Sequence, residues 1–302
     1  RDVAPSRGLG DVYKRQAKVS FTNTRNGINY DTSDPTLVQD DYFRYKEQIY
    51  ALYADYSREY SERFSMQLGL RMEHTRTTGI SEAKDTEDKH DYTRLFPTVY
   101  LLYSPTDGHA LNFSFSNRIS RPSQNMVNPF PFYQNKYTYA CGREDLKPSY
   151  TYNAELGYTL KNNFNVSAYY SYSDDVFFQV VDLDAETNVT SFLWENFMQT
   201  HAFGLNNSYT FRTKWLQAYA QHGVSYRRTT SSAATTSPEE KGWAYDASLR
   251  NTFFFNEKKT LLATLSGSYS SRQYQGIYLM SPTYSVSAGM LYRLLDLSLI
   301  HI

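Results

Sequence analysis

Several of the features that usually brace a protein are scarce in this chain. Its 302 residues include a single cysteine, Cys141, which excludes an internal disulfide framework. The six histidines fall in no ligand spacing, and one cysteine cannot complete a zinc site. No uninterrupted apolar run reaches the ~18 residues that suggest a membrane-crossing helix. Lysine plus arginine and aspartate plus glutamate both number 31, so no excess charge points to nucleic acid. The first residues show no signal-peptide pattern, which fits either a cytoplasmic protein or a fragment. Aromatic residues are plentiful: 29 tyrosines and 18 phenylalanines. That bias favours strands, because aromatic rings suit a pleated, half-buried surface.

A two-residue period dominates the chain. In "RFSMQLGLRME", Phe64, Met66, Leu68, Leu70 and Met72 point one way and Ser65, Gln67, Gly69 and Arg71 the other. The same alternation runs through "ALNFSFSNR" and "YTYNAELGYTL". It continues over 164–172, 203–211, 216–226, 243–255, 261–269 and 284–292. Helical spacing fits none of these windows. Short polar turns are expected at 61–63, 105–109, 161–163, 212–214 and 256–259. Long polar or irregular segments are expected near 31–42, 79–91, 121–148, 182–190, 229–242 and 272–281. Alternation suits a sandwich or a barrel, but connections that alternate short and long suit an outer-membrane barrel.

The polar face is mostly serine, threonine, asparagine, glutamine and glycine, as a wet lumen allows. Aromatics gather at the ends of the other face, at Tyr150, Tyr158, Tyr209, Phe211, Trp243, Phe253, Phe255 and Tyr292, where interfacial girdles sit. The expected fold class is therefore all-β, a transmembrane antiparallel β-barrel, of which this chain supplies roughly twelve to fourteen strands.

The two ends, 1–16 and 297–302, resemble translated adapter sequence. They are expected to be non-native, leaving 17–296 as barrel.

One stretch carries a resemblance. Phe96 and Pro97 are followed by Arg118, Ile119, Arg121 and Pro122, then by Asn128, Pro129 and Phe130. These match the C-terminal barrel of TonB-dependent receptors of the Bacteroidetes type, the outer-membrane β-barrel family. The family's glycine–asparagine–proline–x–leucine–x–proline run is altered here. It reads Gly142, Arg143, Glu144, Asp145, Leu146, Lys147, Pro148. The resemblance implies that the chain is the C-terminal portion of a barrel of about 22 strands. It also implies an N-terminal plug and a coupling segment that this chain does not include. The implied function is uptake of a nutrient (siderophore, glycan or peptide) across the outer membrane, with energy coupled from the inner membrane. The alternative is a passive or structural outer-membrane barrel. Expected partners are outer-membrane lipid, the nutrient cargo and the TonB complex through the plug region. A surface lipoprotein would join them if the cargo is a glycan or peptide.

Candidate mouth residues cluster in one long loop. Arg118 and Arg121 either contact an anionic cargo or satisfy a neighbouring acid. Phe130, Phe132, Tyr133, Tyr137 and Tyr139 either stack on cargo or fold the loop onto the barrel rim. Pro122, Pro129 and Pro131 end strand pairing because proline donates no ladder hydrogen bond. "DTEDKHD" at 85–91 lacks the glycine and ligand offsets of a calcium loop and is expected to be a solvated charged loop. No nucleophile, base and acid arrangement stands out, so neither enzyme activity, a metal nor a cofactor is expected.

Overall fold

Sustained alternation gives every strand an apolar and a polar side, and strands then pair with like sides aligned. The computed structural model describes residues 12–28, 41–81 and 85–293. In chain order the strands begin with β1 (Val12–Ile28), β2 (Asp41–Ser61), β3 (Phe64–Ser81), β4 (Thr86–Tyr103) and β5 (His109–Ser120). A short helix, α1 (Gln124–Val127), leads into a small hairpin of β6 (Phe132–Asn135) and β7 (Thr138–Cys141). The meander resumes with β8 (Ser149–Leu160), β9 (Phe164–Asp184), β10 (Val189–Arg212), β11 (Leu216–Ser231) and β12 (Glu239–Phe254). It closes with β13 (Leu261–Ser270), a two-stranded β14 (Gln273–Gln275) and β15 (Tyr278–Met280), and β16 (Thr283–Tyr292). Each main strand pairs antiparallel with the next, giving a single sheet in the order β1-β2-β3-β4-β5-β8-β9-β10-β11-β12-β13-β16.

The short connections fall where sequence placed them, at one end of the sheet. At that end Ser61 pairs with Phe64, Leu160 with Phe164, and Lys161 and Asn162 adopt positive φ. The opposite end differs from expectation. The segments 79–91 and 182–190 were expected to be long loops, yet they are mostly strand. β3 runs to Ser81 and β4 starts at Thr86; β9 runs to Asp184 and β10 starts at Val189. Cross-strand ladders such as Thr77 to His90 and Trp194 to Gln179 satisfy the backbone of these polar segments, so polarity did not make them irregular. The "DTEDKHD" stretch is accordingly strand, not loop, from Thr86 onward. β9 and β10, at 21 and 24 residues, are about twice the ~9–11 residues that cross a bilayer, and the surplus projects beyond it. The expected long segment at 31–42 lies largely outside the described residues, as do 1–11 and 294–302. Residues 12–16 belong to β1 and pair with 53–57 of β2.

The sheet is curved. Phe43 on β2, Phe177 on β9 and Trp194 on β10 meet one cluster with Val127, Phe130 and Leu146, although β3, β4, β5 and β8 lie between them in the sheet. The concave face carries Gln67, Asn112, Gly157, Asn206 and Gln221. Leu52, Leu70, Met72, Leu95, Leu156 and Leu205 stand exposed on the convex face, where water would disfavour them and lipid would not. Serine pairs line the concave side of the last strands, with Ser266 to Ser287 and Ser268 to Ser285 both at 2.8 Å. One aromatic expected on the outward face is elsewhere: Tyr150 is buried, under the Arg94 guanidinium 4.9 Å from its ring centre.

Candidate functional site

The loop between β5 and β8, residues 121–148, folds back over the concave face at the long-loop end. Its entry is held by Arg121. One Nη2 donates to Glu73 Oε2 at 2.6 Å and to Thr75 Oγ1 at 3.2 Å, and Glu47 lies 3.9 Å from Nε. The Glu73 side chain is 7% exposed and that of Arg121 20%, so this is a largely dry ion pair. Burial works against the Arg121 charge. Hydrogen bonding to Glu73 and the neighbouring Tyr92 more than offset it, and the guanidinium pKa is raised above its ordinary value.

The middle of the loop is packed by apolar anchors. Phe130, Val127 and Leu146 are buried against Phe43, with Tyr45 and Met126 alongside. α1 and the chain before β8 close on each other through the Gly142 amide to the Asn128 carbonyl and the Arg143 amide to the Met126 carbonyl, both 2.8 Å. A Cβ on Gly142 would lie 2.4 Å from the Asn128 carbonyl oxygen and 2.6 Å from that of Met126. Glycine is therefore required here by close backbone approach.

The exit of the loop is tied to β10. Arg143, standing where the related motif has asparagine, grips Asp145 through Nε at 2.6 Å and Nη2 at 3.1 Å, and reaches Glu195 at 2.8 Å. The register of β9 and β10 shifts between Asn196 and Met198. At that bulge the Asn196 side chain accepts from the Lys147 amide at 2.8 Å and donates to the carbonyls of Lys147 and Asp175. β7 also adds in parallel to β10 over Thr190–Leu193. The loop exit is thus held by charged and amide ties around a turn in which the Leu146 amide donates to the Arg143 carbonyl at 3.3 Å.

The structure places the seven candidate residues in four settings. Arg121 and Phe130 point inward and hold the loop. Tyr133 and Tyr139 pack on each other at 5.5 Å across the β6–β7 hairpin. Phe132, 57% exposed, and Tyr137, 51% exposed, stand at the hairpin. Arg118 is exposed on β5 opposite Thr151 and forms no ion pair among the described residues. Beneath the loop is a recess of about 80 Å³, lined by Tyr45, Glu47, His90, Arg121, Glu144 and Lys147 among others. Among the described residues, no three histidine, cysteine or carboxylate side chains converge as metal ligands.

Glu47, Glu73, Thr75 and Tyr92 escaped the sequence reading because each sits singly on a strand far along the chain from Arg121. The available signal was a lone acid on an inward position, as at Glu73 between Arg71 and Thr75.

Solved structures share this architecture. A copper transporter, OprC, superposes with a TM-score of 0.66 at 12% identity, over 94% of this chain and 46% of its own. The siderophore receptor PiuA from Acinetobacter baumannii gives 0.61 at 13% identity, over 97% and 48%. A ferric enterobactin receptor, PfeA from Pseudomonas aeruginosa, solved with enterobactin, gives 0.55 at 12% identity, over 94% and 47%. The chain spans about half the length of these proteins. No curated protein sequence matches it. The family model described as "Outer membrane protein beta-barrel family" matches residues 14–299.

Proposed function

Because the chain belongs to the outer membrane protein beta-barrel family and so lies in the outer membrane, we propose that it is the C-terminal part of the barrel of a TonB-dependent receptor that imports a nutrient. One observation carries the reading. The longest described loop is anchored at both ends inside the mouth while Phe132 and Tyr137 remain free to meet a cargo from outside. A passive pore has no need to hold an aromatic hairpin over its own opening. The likeness of fold to transporters and receptors about twice its length supports the same reading.

In this proposal a plug domain and a coupling segment precede the barrel, and an inner-membrane complex driven by the proton gradient supplies the work. Cargo class is set by the hairpin, the recess beneath it and the plug together. Siderophores, glycans and peptides all offer surfaces that stack on aromatic rings.

Uptake by cells expressing the whole receptor tests this. Accumulation of cargo should stop when the proton gradient is collapsed and when the coupling segment is deleted. Uptake that persists through both treatments would reassign the protein to the passive barrels.

A further inference from the structure

We propose that Arg228 and Lys241 form a binding site for the phosphate of outer-leaflet glycolipid on the convex face of the barrel. The site is fixed by depth. Cross-strand register aligns residues of β8 to β12 into rows perpendicular to the strands. One row holds Ala154, Tyr170, Phe203, Tyr226 and Trp243. Phe203, Tyr226 and Trp243 pack together, with ring centres 5.2 to 5.7 Å apart. Trp243 is nevertheless 62% exposed. Toward the short-turn end the next row is Leu156, Ala168, Leu205, Val224 and Tyr245, a surface that suits hydrocarbon. The aromatic row is thus the girdle at the headgroup level.

Toward the long-loop end, two residues further along each strand, the row reads Tyr152, Tyr172, His201, Arg228 and Lys241. At ~3.3 Å per residue this lies about 7 Å further along the strands, or about 5 Å nearer the surface for strands tilted ~40°, at the depth of lipid headgroups. Arg228 and Lys241 are directly opposite each other on β11 and β12, an arrangement that repels unless an anion lies between them. One anion is present: Glu239, in the following row, takes Lys241 Nζ on Oε1 at 2.5 Å and both Nε and Nη2 of Arg228 on Oε2. Two cations share that single carboxylate, which leaves one positive charge uncompensated. His201 beside them is engaged with the Tyr170 hydroxyl at 2.8 Å. The other acid of that outer row, Asp174, accepts from Gln199 at 2.9 Å. Both cationic side chains are more than half exposed and can reach a phosphate while their aliphatic stems lie along the girdle.

The whole receptor reconstituted in zwitterionic vesicles doped with lipid A, or with lipid A stripped of its phosphates, gives the test. The readout is the lipid A retained per receptor after detergent extraction, measured by mass spectrometry. Wild type should retain the phosphorylated form preferentially. Arg228→Gln and Lys241→Gln should each reduce that retention about five-fold, and Glu239→Gln should raise it by freeing a charge. Heat-dependent gel mobility of each variant establishes that the barrel is folded. Equal retention of the two lipid forms by wild type overturns the proposal. So does retention that none of the three substitutions changes.

Discussion

Arg121 and Phe130 were singled out as residues at a barrel mouth, and the structure gives both an inward-facing role. A guanidinium that is four-fifths covered and bonded to Glu73 leaves that buried carboxylate with only the longer Arg71 contact, 3.5 Å from Nε, when it is removed. Arg121→Met is therefore expected to cost about 3 kcal/mol locally and to release the loop it anchors. The measurement is trypsin cleavage at Lys136 and Arg143 in the folded receptor, which should accelerate. Pairing the substitution with Glu73→Met should recover part of the protection, because the most deeply buried charge goes with its partner and only the more exposed Arg71 and Glu47 lose a contact. Cleavage of Arg121→Met at the wild-type rate would show that the apolar anchors hold the loop alone. Phe132 and Tyr137 are the counterpart. Their alanine variants should change stability by no more than about 0.5 kcal/mol, as exposed sites do, while weakening cargo binding in an equilibrium assay. Unaltered affinity in both variants would remove them from the binding surface.

At the scale of elements, the β5–β8 loop behaves as a folded part. It has a short helix, a hairpin and its own apolar cluster with Phe43, and its two halves close at Gly142. Gly142→Ala forces a methyl group into two carbonyl oxygens, and overpacking of this kind costs about 1–3 kcal/mol. Hydrogen exchange at the Gly142 and Arg143 amides should speed up in this variant while the β8–β9 ladder stays protected. The β10 bulge is a second device. By shifting register at Asn196 it turns one side chain toward the loop and seats Phe197 in a separate cluster with Val180 and Met198. Asn196→Ala leaves the Lys147 amide without its acceptor, and a loss of about 1–3 kcal/mol at the loop exit follows. Faster exchange at Lys147 checks it.

For the molecule as a whole, the decisive fact is an open sheet. Among the described residues β1 pairs only with β2 and β16 only with β13, and every residue of β16 is exposed. In lipid, unpaired strand edges cost several kcal/mol per backbone group. The chain alone is expected to stay protease-sensitive in vesicles and to show no heat-dependent change in gel mobility, whereas the whole receptor shows both resistance and the mobility change. A resistant, heat-modifiable band from this chain alone would mean that β1 and β16 find each other.

By itself the sequence determined the strand architecture, the short turns and the family motif. These are local: a side-chain period of two, turn residues and prolines act over a few positions. It also marked 121–148 as a long segment between two strands. It did not determine where strands stop at the long-loop end. Polar segments such as 182–190 look like loops until a neighbour offers its hydrogen bonds, and that neighbour exists only in the assembled sheet. Nor did it show that Arg121 faces inward to Glu73, 48 positions earlier, or that Tyr150 lies beneath Arg94. Those pairings join residues on different strands, and only curvature of the sheet brings them together. The burial of Arg121 and the exposure of Phe132 follow from that curvature.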